Sequence, residues 1–298
     1  MNKQKRADLL LVMTTFFWGA SYYLTDLCLA DLPPMFLNAF RFIVAFLVLG
    51  LIYHKRLLRI SRTTLRYALP IGLALSGTYI AYNYGISRTS LSNAAFICAL
   101  QVIFAPLLTF IVYRRSPGKK LGLALLLCTV GLALMTLNEQ LRPASGDLIC
   151  MLTPLCYAVD LLLTEKAVQD PRVDPLAMGV TELAVVGAVT LGLSLLLGEP
   201  IHLPSTPAVW AAGLFLGLVC SGVAFVIQSV QQQYTSASHV GLIFTLEPLF
   251  AAIINFIMLG ELLSTRGFIG AALMMLSLFI MEGDWRFLRR AKKEETHG

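Results

Sequence analysis

The chain is divided almost end to end into apolar runs as long as a bilayer's hydrocarbon core is thick, and nothing else in it limits the fold so tightly. The runs are Ala7–Leu24, Met35–Tyr53, Leu65–Ile86, Leu91–Val112, Leu121–Leu137, Asp147–Leu163, Leu176–Leu197, Ala208–Val230, Ala237–Leu259 and Gly267–Met281. An α-helix rising 1.5 Å per residue crosses a ~30 Å hydrocarbon layer in about 20 residues and satisfies its own backbone on the way. The sequence therefore predicts an all-α integral membrane protein with ten transmembrane helices, numbered 1 to 10 in chain order. At 57% hydrophobic and 13% charged residues, the composition rules out a soluble globular domain.

The runs form two copies of one pattern. The stretch from Arg88 to Val112 maps without gaps onto the one beginning at Tyr234, at an offset of 146. Thr89, Ser90, Ser92, Ile97, Leu100, Phe104, Ala105, Phe110 and Ile111 recur as Thr235, Ser236, Ser238, Ile243, Leu246, Phe250, Ala251, Phe256 and Ile257. Asn93 falls on His239 and Gln101 on Glu247, and on each segment the two polar residues are eight apart, on one helical stripe. An offset of 139 pairs helix 1 with helix 6, setting Thr25 on Thr164, Asp26 on Glu165 and Ser21 on Asp160. Helix 2 begins after Pro33 and Pro34 and helix 7 after Pro175; an offset of 141 sets Arg41 on Glu182. An offset of 145 sets Gly72, Ser76, Gly77 and Asn83 on Gly217, Ser221, Gly222 and Gln228. Five helices per copy is an odd number, so the copies are inverted, the arrangement of many secondary transporters. The expected units are residues 7–137, residues 146–282 and a basic cytoplasmic tail, 283–298.

The basic residues orient the chain. With the N-terminus inside, 19 of the 23 Lys and Arg residues fall on inner segments; Arg88, Arg142 and Arg266 lie outside and Arg41 within a span. This bias places both termini in the cytoplasm of a plasma or inner membrane. It also accounts for the net charge of +6 without a nucleic-acid partner. Cys98, Cys128, Cys156 and Cys220 lie within spans; Cys28 and Cys150 lie near the outer face, without a disulfide being expected.

Several motifs are shared with one family. The second half, from Thr245 through Glu247–Pro248, Gly260–Glu261 and Gly270, resembles the end of an EamA domain of the drug/metabolite transporter superfamily. Trp18–Ser21, Pro34 with Arg41–Phe42, and Thr89–Phe96 resemble a second copy. The resemblance implies a ten-helix transporter with a central cavity lined by helices 1, 3, 4, 6, 8 and 9, and helices 5 and 10 at the periphery. Two departures stand out: Arg114–Arg115 replaces the Gly-Glu step after helix 4, and Val102 replaces its early proline, with Pro106 four residues later. Nothing in the sequence thus demands that helix 4 break where helix 9 does.

Glu247 leads the candidate residues, since an acidic residue near the midplane costs roughly 2.5 to 3.5 kcal/mol and marks a pathway. Substrate-binding candidates are Trp18, Tyr22, Tyr79, Asn83, Gln101, Tyr157, Gln228 and Glu247. Candidates for proton coupling or gating are Glu247, His239, Asp160, Glu182 and Arg41. Arg41 sits shallow enough to snorkel. It lies near the outer end of helix 2 and Glu182 near the inner end of helix 7, so no salt bridge joins them, whereas Asp160 is at a depth to approach Glu182. No P-loop, HExxH, GxSxG or Cys/His cluster is present, so neither a cofactor nor a metal is expected, nor an enzyme. The expectation is a gradient-driven exporter of a small polar or amphipathic metabolite such as an amino acid, working by alternating access, with protons as candidate co-substrate. Quaternary-cation or nucleobase-type cargo, a channel, and a homodimer stay open.

Overall fold

A computed structural model describes residues 3–86, 88, 97–114, 118–136, 145–259 and 264–282. Among them there is no strand, and the longer helices are α1 (Lys3–Leu29), α2 (Pro34–Ile52), α3 (Arg62–Ile86), α4 (Ile97–Tyr113), α5 (Lys119–Thr136), α6 (Gly146–Val168), α7 (Pro175–Leu196), α8 (Pro207–Tyr234), α9 (Ala237–Met258) and α10 (Thr265–Glu282), with one further helical turn at His54–Leu57. Asn93, Arg115, Arg142, Gly260, Glu261 and the tail from residue 283 lie outside the described residues. Five helices, α2, α6, α7, α8 and α9, are each long and apolar enough to cross a bilayer. Large apolar side chains such as Leu47, Leu126, Ile257 and Phe279 stay exposed, which suits a surface solvated by lipid.

α2 and α7 start alike. Pro34 and Pro175 each occupy the first helical turn, where a missing N–H removes no bond. Asp174 caps α7 through its own carboxylate, while the α2 start is capped from a distance: Glu199 accepts from the N–H of Met35 and, at 2.9 Å, of Phe36.

The packing keeps its pattern when the halves are exchanged. α1 lies against α8 and α9, as α6 lies against α3 and α4; α2 meets α8 as α7 meets α3. The pairs α2–α7, α4–α9 and α5–α10 cross the axis that relates the halves. The match reaches single atoms. A Cβ on Gly72 would fall 2.6 Å from Val185 Cβ and 3.2 Å from the Glu182 carbonyl oxygen. On Gly217 it would fall 2.9 Å from the Arg41 carbonyl oxygen and 3.4 Å from Val44 Cγ1. Gly72 and Gly217, Val185 and Val44, and Glu182 and Arg41 are mates in the repeat, so one backbone-to-backbone contact is built twice. Close approach at small residues is how helices associate where lipid removes the hydrophobic drive.

α4 and α9 are both broken, and at matching points. Leu100 N–H bonds Ile97 O at 3.1 Å and Leu246 N–H bonds Ile243 O at 3.1 Å, each a tight turn, after which the helices resume at Gln101 and Glu247. In α9 Pro248 follows the break; in α4 the same break forms without a proline. All six cysteines are free.

Candidate functional site

Between the halves lies a cavity of about 410 Å³. Its mouth is at exposed Asp26 and Leu29, beside the α1–α2 turn, and its floor is a knot of buried aromatic rings. Trp18 is 5% exposed and packs on Phe244, Phe225 and Tyr157 with centroids 4.7, 5.2 and 6.1 Å away. Its Nε1 donates to the Cys220 carbonyl at 2.8 Å, which pins the ring across the floor. That carbonyl is in the Leu216–Val223 segment of α8, which winds in wider π turns. Such turns cluster at functional sites because they free carbonyls from the helix ladder.

Two opposite charges face this space from different walls. Glu247 stands at the α9 break, with Tyr22 beside it on the cavity wall. Arg41 enters from α2, 4% exposed, with its Nε donating to Ser221 Oγ at 2.7 Å and its guanidinium over the rings of Phe42 and Tyr79. It therefore does not snorkel to the surface. Among the described residues it has no carboxylate partner, and its other N–H donors stay available. One turn earlier on α2, Asn38 also lines the cavity, 4% exposed, with Nδ2 buried and without a hydrogen-bond partner.

Of the substrate-binding candidates, Trp18, Tyr22, Tyr79, Asn83, Gln101, Tyr157 and Glu247 line the cavity. Gln228 does not. It is 1% exposed beneath the floor, where its Oε1 accepts from Tyr157 O–H at 2.8 Å and its Nε2 donates to Asp160 Oδ2 at 3.0 Å. Asp160, Glu182 and His239 are also away from the cavity. Glu182 accepts at 3.2 Å from Oγ of Ser229, the residue next to Asp160's partner Gln228, and among the described residues no ion pair joins it to Arg41. His239 Nε2 lies 3.5 Å from Asp8 Oδ1, closing the end of the bundle opposite the mouth.

The residues missed from sequence are Asn38, which lines the cavity, and Ser221, which holds Arg41. α2 itself joins the six helices expected around the cavity, because Arg41 and Asn38 project beside the last turns of α3, where Tyr79 and Asn83 also line it. The Asn38–Arg41 spacing of three residues, one helical face, was the available signal.

This arrangement, a largely apolar cavity carrying a few charged and polar groups between two halves of an apolar helical bundle, is the architecture of multi-pass membrane transporters. The chain belongs to the EamA-like transporter family, whose model matches residues 5–137 and again 144–282. It is 25% identical over 300 residues to the uncharacterised transporter YyaM of Bacillus subtilis, covering 97% of both chains. It is 27% identical over 296 residues to an uncharacterised transporter of Methanothermobacter thermautotrophicus, covering 91% of this chain and 84% of the relative. An uncharacterised transporter of Archaeoglobus fulgidus is 22% identical over 279 residues, with 94% and 86% covered. A solved crystal structure superimposes with a TM-score of 0.79 at 17% identity, over 95% of this chain and 99% of the other, a likeness of fold.

Proposed function

We propose that the protein is a secondary exporter of amino-acid-like zwitterions that works by alternating access, with Glu247 as the group that exchanges substrate for a proton. The observation that carries this is one cavity holding a carboxylate on α9 and an arginine without a carboxylate partner on α2. A substrate carboxylate fits Arg41 and the unused Asn38 amide; its ammonium fits Glu247 and Tyr22; an apolar side chain fits the ring-lined floor. Arginine presents paired donors that match a carboxylate. By the distribution of Lys and Arg, the mouth at the α1–α2 turn faces outside and both termini face the cytoplasm.

The test is a thermal-shift screen of purified protein against phenylalanine, phenethylamine, phenylpropionate and tetraphenylphosphonium. A ligand at 100 times its Kd stabilises the folded state by about 2.7 kcal/mol. Phenylalanine is expected to raise the melting temperature more than either half-molecule, and Arg41→Gln or Glu247→Gln to abolish its shift. A tetraphenylphosphonium shift that survives Arg41→Gln, with none from phenylalanine, would overturn the zwitterion in favour of organic-cation export.

A further inference from the structure

Beneath the aromatic floor sit two more carboxylates. Asp160 on α6 is 1% exposed and Glu182 on α7 is 2% exposed. Their hydrogen bonds come from uncharged side chains of α8, Gln228 and Ser229. Among the described residues neither has an ion-pair partner. The titratable groups that reach them are each other, Tyr157 on α6 and Tyr79 on α3. α9 presents His239, which is engaged with Asp8 of α1, and α2 presents Arg41, which is engaged with Ser221. Two carboxylates so deep must be neutralised by a proton or another cation, and the described residues supply no counter-charge.

Nearby acceptors are in surplus as well. Gln232, 1% exposed, donates its Nε2 to the carbonyl of Leu161, the residue beside Asp160, and its Oε1 is left without a donor. Thr164, 1% exposed and one turn from Asp160 on the same face of α6, has a hydroxyl with no hydrogen-bond partner. Buried oxygens left without hydrogen-bond partners near two carboxylates are oxygen ligands that a hard cation can take.

The repeat explains why such a site lies here. Ser21, Arg41 and Asn83 all line the open cavity, and their mates in the second half are Asp160, Glu182 and Gln228. When inverted halves exchange conformations, the mates of the residues lining one vestibule line the other. We propose that Asp160 and Glu182 together hold one exchangeable monovalent cation, a proton or a sodium ion, in a second vestibule that is closed here and opens when the present cavity closes. Its opening rests on the alternating-access reading; its binding does not. The Tyr157–Gln228–Asp160 hydrogen bonds tie the cavity floor to this site, so that occupancy of one is felt at the other.

The experiment measures melting temperatures of the full-length protein across pH, in choline chloride and with sodium replacing choline. Wild type, Glu247→Gln and Asp160→Asn/Glu182→Gln are compared. Both wild type and Glu247→Gln are expected to gain stability on acidification if the cation is a proton, or from sodium at alkaline pH if it is sodium. The double variant, uncharged at the site, is expected to lose that dependence. A double variant that keeps the wild-type dependence overturns the site, as does a wild type indifferent to both cations. Should the double variant not fold, carbodiimide labelling of wild type decides: modification at Asp160 or Glu182, blocked by sodium in the sodium case, supports the site, and modification confined to Glu247 overturns it. A cation dependence that stands while Thr164→Cys stays unreactive from both sides supports the site and overturns its opening, and with it alternating access.

Discussion

At the scale of single residues, the cavity turns on how Arg41 is held. Its Nε–H is committed to Ser221, which fixes the plane of the guanidinium and aims the remaining donors. Arg41→Lys keeps the charge and loses that fork, so affinity for a zwitterion is expected to fall by about tenfold or more, roughly 1.4 kcal/mol, with the fold unaffected. Equilibrium binding to the purified variant checks this; wild-type affinity in Arg41→Lys would mean that charge alone suffices. A second residue acts outside the membrane. Asp31 in the α1–α2 turn accepts from the Ser205 N–H and hydroxyl, both at 2.8 Å, and these bonds hold its carboxyl below the usual range. Its folded-state pKa is thus below the unfolded value of about 3.9. The stability it adds is present above that value and lost as pH falls through the folded one. Asp31→Ala is expected to melt earlier than wild type at neutral pH, with the difference closing below about pH 4. A gap that persists into strong acid would assign it to something other than the carboxylate.

At the scale of elements, the Gly72 and Gly217 contacts make helix spacing testable. Gly72→Ala puts a methyl 2.6 Å from Val185 Cβ, with the Glu182 backbone behind it, so the clash is not absorbed by a flexible side-chain end. Overpacking of this kind costs about 1–3 kcal/mol. A lower melting temperature is expected, with partial recovery in Gly72→Ala/Val185→Gly, which removes the clashing Cβ; no recovery would place the strain on the Glu182 backbone contact instead. These glycines, the repeat and the helix starts at Pro34 and Pro175 were legible in the sequence because they follow from spacing and from lipid. The α4 break was not. Its proline is missing, and the turn at Leu100 copies the one at Leu246 through packing shared across the axis. The π turns of α8 were equally silent, since what they serve, Trp18 Nε1 and the Arg41 Nε, arrives from other helices. Gln228 was misplaced for a related reason: polarity gives a residue's depth, and the Tyr157 ring decides which side of the floor it is on.

At the scale of the whole molecule, exchange of the two halves predicts reciprocal exposure. Thr25 lines the open cavity and its mate Thr164 is 1% exposed, and both are threonines, so replacing either by cysteine is a mild change. In a background without the native cysteines, a membrane-impermeant thiol reagent is expected to modify Thr25→Cys rapidly from the mouth side and Thr164→Cys slowly from the opposite side. A transported substrate shifts the population between states only by its differential affinity for them. Turnover should therefore slow the first reaction and speed the second together, because one closure produces both effects. A channel gives a different pattern: both positions react from their own sides and neither rate depends on the other. If substrate changes one rate alone, the halves move independently, and the atom-level match between Gly72 and Gly217 reflects shared ancestry of packing rather than a shared motion.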